Sequence, residues 1–167
     1  MKIVALDELR GTFTPAYLRE LASFGALSQE TVEALLTRGR IIALEPREEL
    51  YHAGAKVQEF FVVLQGKILL YHHHLGKPAL TRSFGPGEQI GFAGMIALHD
   101  RKGMAVAAQL SYVLEVPADH FFQLHQSAPQ DFGLLMLNMA REMARSIGQL
   151  GDRIAEMEAH NPSQGDD

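Results

Sequence analysis

Cysteine is absent from this chain, which excludes disulfides, thiolate metal sites and cysteine nucleophiles and fits a reducing, cytoplasmic setting. A surplus of positive charge is absent as well: 15 Lys and Arg stand against 20 Asp and Glu, giving a net charge of −5 and a pI near 5.9. That balance argues against nucleic acid as a direct partner. No apolar run reaches the roughly 18 residues that a membrane span requires, and the opening MKIVALDELRG lacks the uninterrupted apolar core of a signal peptide. Catalytic signatures are missing too. No serine sits in a nucleophile-elbow pattern, and Asp100 beside His99 is a lone pair of neighbours whose side chains need not meet. There is no internal repeat and no low-complexity linker. What the 167 residues do have is 47% hydrophobic content, enough for one sizeable core. The expectation is a cytoplasmic, non-enzymatic domain of regulatory size.

Between residues 40 and 116 short β-rich runs alternate with turn residues. Strands are expected at 40–44, 59–64, 67–73, 79–84, 104–110 and 112–116, with turns near Gly54, Gly66, Gly76 and 85–87. Their spacing predicts a mainly β fold with flanking helices, a jelly-roll or β-roll barrel. Ahead of it, Thr14 then Pro15 reads as an N-cap with proline at the first helical position, and Ser28 with Glu30 as a second helix start. Glu45, Glu48 and Glu49 read as a solvated turn. The expected organisation is helices and β-roll over residues 1–128, a long helix over 129–158, and a tail over 159–167 whose end, NPSQGDD, has the composition of a disordered segment.

The most informative stretch is residues 85–108, GPGEQIGFAGMIALHDRKGMAVAA. Gly85, Pro86 and Gly87 fix a turn. Gly91 and Gly94 allow main-chain amides to approach a ligand, and the apolar run 95–98 reads as a short helix whose N-terminus aims free N–H groups at the same spot. Arg101 and Lys102 close the loop with fixed positive charge. Such an order of features captures an anion.

Taken together, these residues resemble the cyclic-nucleotide-binding domain of the Crp/Fnr type over roughly residues 21–157. That family's cassette reads about G-P-G-D/E-x-x-G-E, a short apolar helix, then R-S/A-A-x-V-x-A. Gly85, Pro86, Gly87, Glu88 and Gly91 match its start, Val106 and Ala108 its end. Upstream, Gly54 stands at the family's G-D turn, and Phe61, Val63 and Gly66 match Y-x-I/V-x-x-G. Downstream, VLEVPADHFFQL and Pro129 match its last strand, next helix and helix-opening proline. The resemblance implies a cyclic nucleotide or related anion as ligand, with two departures. The acidic residue that grips the ribose 2′-hydroxyl is Phe92 here, which cannot accept that bond. The phosphate-pairing arginine falls on Lys102 when counted from Gly91 or Val106 and on Arg101 when counted back from Pro129, while Gly103 offers only its amide.

Beyond the barrel, Met136, Ala140, Met143, Ile147, Leu150, Ile154 and Met157 recur four and three apart. That is a heptad seam with Ile147 and Ile154 at a and Met143, Leu150 and Met157 at d. Its first turns are expected on the chain's own barrel and the part beyond Ile147 on a partner helix, with Arg153 and Glu158 placed to pair across a homodimer. The run MAREM at 139–143 resembles the family's M-A-R-R-L dimer helix, and Ser146 falls near the position whose hydroxyl contacts the adenine edge. Where the family continues into a DNA-reading helix-turn-helix, this sequence stops about ten residues after the seam, as a stand-alone sensor or as part of a longer chain.

The histidines suggest another class. Gly66, His72 and His74 copy the opening of the metal-binding cupin motif, yet no glutamate follows His74 at the required spacing and no histidine follows Pro86 and Gly87. The sequence therefore predicts a dimeric sensor holding a small anionic effector on the Gly91, Phe92 and Ala93 amides with Arg101 or Lys102, Gly103 and Ser146. The alternatives are a ligand-free dimeric scaffold whose cavity Phe92 fills, and a cupin-type metal protein.

Overall fold

The computed structural model describes residues 1–160. A short strand β1 (Lys2–Val4) and helices α1 (Leu6–Leu9), α2 (Pro15–Glu20) and α3 (Gln29–Arg38) precede the barrel. Both expected caps form: Tyr17 N–H donates to the Thr14 hydroxyl and Thr31 N–H to that of Ser28. The barrel itself holds β2 (Arg40–Leu44), β3 (Glu49–Tyr51), β4 (Glu59–Gln65), β5 (Ile68–His74), β6 (Lys77–Phe84), β7 (Gln89–Ile90), β8 (Met104–Ala107) and β9 (Ser111–Pro117). They form two antiparallel sheets, β1-β2-β9-β4-β7 and β3-β8-β5-β6. Helix α4 (Phe92–Ile96) interrupts the barrel between β7 and β8, and α5 (Ala118–Ser127) leads into the long α6 (Pro129–His160).

The central strands of the first sheet, β4 and β9, are buried on both faces, and the sequence shows why. In β4 the run EFFVVLQ is apolar without alternation, the mark of a strand with no solvent side. Phe61 and Val63 point into the barrel with Ile42, Ile68, Phe84 and Val113. Phe60, Val62 and Leu64 point out, onto a second cluster with Leu35 of α3, Phe92 of α4, Phe121 of α5 and Leu135 of α6. The helices therefore rest on the back of the sheet that carries the cassette.

Several expectations shift. The 45–49 turn contains the start of β3, since Glu49 pairs with Val106, and the strand expected at 104–110 ends at Ala107. The short strands β1, β3 and β7 have two or three residues each, below what periodicity can reveal. Helix α6 runs through residues 159 and 160, past the expected boundary at 158, and the remainder of the expected tail, 161–167, lies outside the described residues.

Candidate functional site

The cassette opens with the turn at Gly85, whose N–H is accepted by Glu88 Oε2 at 2.6 Å, while Gly87 N–H reaches Val63 O at 2.8 Å and ties the turn to β4. Gly91 then adopts φ +85° as the residue before α4. The helix begins at Phe92, three residues before the expected 95–98 run, and stops at Ile96. Phe92 and Met95, three apart and both buried, need one helical face to reach the core together. Past the helix, Leu98 at φ +54° ends any continuation.

Phe92 is fully buried and lies outside the cleft beside the cassette. Its ring meets Phe60 and Phe121 edge-on, with centroids 5.3 and 5.5 Å away. It faces the helices, so the picture of a ring filling the ligand space is corrected: the side chain is a core residue. Its amide is also spoken for, donating to Gln89 Oε1 at 3.2 Å. The Ala93 and Gly94 amides remain in the first turn of α4, where no intrahelical acceptor exists.

Arg101 and Lys102 part ways. Arg101 points inward, 5% exposed, with its guanidinium 4.3 Å from the Tyr51 ring centroid and 5.4 Å from that of Phe61. Nη2 donates to the Glu59 carbonyl at 2.8 Å and to Glu59 Oε1 at 2.7 Å. Nε and Nη1 are buried with no partner among the described residues. Lys102 is exposed at the rim of the same cleft and Gly103 is packed beneath it, where a Cβ would lie 2.6 Å from Tyr71 O. Burial lifts the Tyr51 phenol above its usual range, an effect that the Arg101 charge opposes.

The cleft has a volume of about 360 Å³ and takes in Gly91, Ala93, Gly103, Arg101, Lys102 and Ser146. Of the expected site residues it gathers all but Phe92. It also gathers His72, which the sequence offered only as a cupin-type metal ligand, and Arg82, which sequence reasoning missed; a basic residue on an exposed-looking strand gave no signal. Arg82 lies 4.4 Å over the Phe84 ring and donates to Ser146 Oγ, to Glu142 Oε1 and, at 3.0 Å, to Glu88 Oε1. Burial pushes the Glu142 carboxyl up, but hydrogen bonds from Arg145 and Arg82 outweigh it and hold the group below the ordinary carboxylate range.

On α6, Leu135, Met139 and Glu142 are the buried positions facing the barrel, and Met136 and Met143 are only half-buried beside them. Ala140, Ile147, Leu150, Ile154 and Met157 are exposed. The barrel thus takes a stripe one residue away from the heptad seam. Arg153, expected to pair across a dimer, donates to the chain's own Thr81 carbonyl. The His72 ring is held by the Thr81 hydroxyl at 2.8 Å, and no group of three or more His, Asp or Glu with metal-holding geometry occurs among the described residues. His99 Nδ1 pairs with the Asp100 carbonyl at 2.9 Å, and the Asp100 carboxylate with Lys56 instead. None of the described helices is long and apolar enough to cross a membrane.

A β-roll with a glycine-capped cassette helix, an inward arginine and a long helix laid beside the opening is the architecture of a cyclic-nucleotide-binding-type domain. The family model "Cyclic nucleotide-binding domain" matches residues 41–128, just over half of the chain, and the chain belongs to that family. It is 26% identical over 125 residues to the cyclic AMP receptor protein of Thermus thermophilus, covering 74% of this chain and 56% of that protein, so it spans little more than half of that relative. The catabolite activator protein of Thermus thermophilus superposes with a TM-score of 0.68 at 22% identity over 82% of this chain and 63% of that one. A cyclic nucleotide-binding domain from Methylobacillus flagellatus gives 0.77 at 20% identity over 86% and 83%. The Xanthomonas campestris regulator CLP, described as responsive to c-di-GMP, gives 0.70 at 16% identity over 77% and 63%.

Proposed function

We propose that this chain is a cytoplasmic, non-enzymatic sensor that holds a small phosphate-bearing effector on Arg101 and the Ala93 and Gly94 amides, and that works as a homodimer through α6. Arg101 carries this reading. Its Nε and Nη1 are buried, aligned by Tyr51, Phe61 and Glu59, and without a partner among the described residues. Leaving such groups unpaired costs about 1–3 kcal/mol each, a cost that a bound anion removes through bidentate, charge-assisted bonds. Arg101 stands where Lys102 was the other candidate, and it has the better chemistry, a planar fork instead of a point charge.

Cyclic nucleotides are the class that the family suggests, held without a ribose-gripping carboxylate because Phe92 is in the core. A sugar hydroxyl left unpaired costs about 1–3 kcal/mol, or roughly five- to 150-fold in affinity, so the expected binding is weak. The ligand-free scaffold is disfavoured: it needs the Phe92 ring in the cleft, and the cleft is open.

Calorimetric titration of the purified chain with cyclic AMP, cyclic GMP and inorganic phosphate tests the reading. Binding of at least one of them, lost in Arg101→Met, is expected. Binding of none, or binding that survives Arg101→Met, overturns it.

A further inference from the structure

Among the described residues, the side chains that line the cleft include Arg82, Arg101 and Lys102 and no Asp or Glu. Two of these cations are matched by carboxylates outside the lining. Arg82, together with Arg145, faces Glu88 and Glu142, two charges of each sign, and Arg101 is paired with Glu59 at 2.7 Å. Lys102 is exposed at the rim and forms no ion pair among the described residues. The cassette wall therefore keeps one positive charge after its internal pairs are made, on the residue that follows the anchoring arginine. We propose, resting on the effector reading above, that the ligand is a nucleoside monophosphate whose terminal phosphate carries two negative charges, one held by Arg101 and the second by Lys102, in preference to a cyclic diester that carries one.

The number of acceptors needed leads the same way. Arg101 has one N–H on Nε and two on Nη1, all buried without a partner among the described residues, and the Ala93 and Gly94 amides lie in the first turn of α4. These five donors lie close together, since Nη1 rests against Gly91, the residue before that turn. A cyclic diester brings two charged oxygens to them and ties its other two into a ring. A monoester brings three, and the Lys102 ammonium offers up to three further N–H groups. The carboxylates nearest the cassette are already engaged: Glu59 accepts from Arg101 and Asp100 from Lys56. Phe92, packed in the core, adds no charge to oppose the second one. Near neutral pH that second charge is present, because the second phosphate pKa is about 6.

The rest of such a ligand also suits the cleft. A cyclic phosphate is fused to its ribose, so anchoring the phosphate fixes the sugar hydroxyl beside α4, where Phe92 supplies no acceptor. A 5′-monophosphate is joined through rotatable bonds. Its sugar can keep its hydroxyls in water while the base lies against Leu70, Phe84, Ile90 and Met143, the apolar surfaces of the cleft.

The full chain is titrated calorimetrically at about pH 8, where histidines are neutral and monoesters dianionic. The probes are adenosine 5′-monophosphate, its methyl ester, which keeps the base, sugar and open chain with one charge fewer, and cyclic AMP, and the series is repeated in Lys102→Gln. The monophosphate should bind about tenfold tighter than either diester, the increment of one charge-assisted contact. In Lys102→Gln that advantage should fall to about threefold or less, while the affinity for cyclic AMP changes by less than about threefold because the lysine is exposed and carries no packing. Cyclic AMP or the methyl ester binding as tightly as the monophosphate, or an advantage that survives Lys102→Gln, overturns the assignment and leaves the effector reading standing. Binding of inorganic phosphate alone does the same, whereas binding of no phosphate compound overturns both.

Discussion

The ideal Cβ position on Gly91 lies 1.9 Å from Nη1 of Arg101, so the glycine before α4 is also the floor on which the guanidinium rests. Two independent constraints act on it, the left-handed φ of +85° and this contact. Replacing Gly91 by alanine forces the backbone into a strained region, at about 1–3 kcal/mol, and drives Arg101 off its place between Tyr51 and Glu59. Thermal melts of Gly91→Ala should show a lower midpoint and no rise with added phosphate ligand. A variant that gains as much from ligand as the parent does would show that Arg101 is not the anchor.

Phe92 leads to the opposite of what its alignment suggests. Phe92→Glu restores the acidic residue that the family carries, and a sensor with its ribose grip repaired should bind nucleotide better. Here the ring is packed between Phe60 and Phe121, and the carboxylate would enter an apolar cluster without a partner. Removing the ring alone, in Phe92→Ala, costs about 3–5 kcal/mol, and the charge adds to that. Urea denaturation should show severe destabilisation of Phe92→Glu with no gain in calorimetric affinity. A stable variant with tighter nucleotide binding would place this side chain in the cleft.

The β-roll was legible because β4, β5, β6 and β9 are each seven or eight residues long and their turns carry glycine where the backbone is left-handed, as at Gly66 and Gly76. The cassette was legible from Gly85 to Gly91 for the same reason. What sequence could not resolve was direction. Arg101 and Lys102 are adjacent and chemically alike in one dimension, and only the stacking of Arg101 on Tyr51, fifty residues upstream, turns it inward. Arg82 was invisible because its partners, Glu88, Glu142 and Ser146, come from two other elements. On α6 the heptad spacing named the exposed seam, while the barrel-facing stripe one residue over includes a glutamate, Glu142, that hydrophobic pattern alone would leave in solvent.

Glu142 sets an acid limit on the attachment of α6. Its carboxyl is held below the ordinary range by Arg145 and Arg82 against the effect of burial, so the folded state binds that proton less readily than the unfolded chain. The contribution is full above the unfolded carboxylate range and fades as pH falls through the folded value. Glu142→Gln should cost stability at neutral pH and match the parent increasingly below about pH 5. Urea midpoints measured from pH 7 down to 3 check this. A difference between the two proteins that stays constant with pH would mean that the Arg82 and Arg145 pairs are electrostatically idle.

The seam on α6 supplies the last prediction. Ile147 is 71% exposed, Leu150 53%, Ile154 61% and Met157 70%, four large apolar side chains that the chain's own barrel leaves uncovered on α6. Burying each contributes roughly 1.5–3 kcal/mol, and a two-fold axis doubles every term, which exceeds the orientational cost of association at the lower end of its range of about 4–15 kcal/mol. Gly148 and Gly151 weaken the isolated helix by about 1 kcal/mol apiece relative to alanine, so this segment gains order as well as cover from a partner. A parallel homodimer through Met136, Ala140, Met143 and these four residues is therefore expected. Ile147→Glu combined with Leu150→Glu should give a monomer by light scattering with the β-roll unchanged by circular dichroism, since neither residue is buried in the chain itself. Parent protein that scatters as a monomer at micromolar concentration, or a double variant that remains a dimer, would leave the seam without the role its spacing gives it.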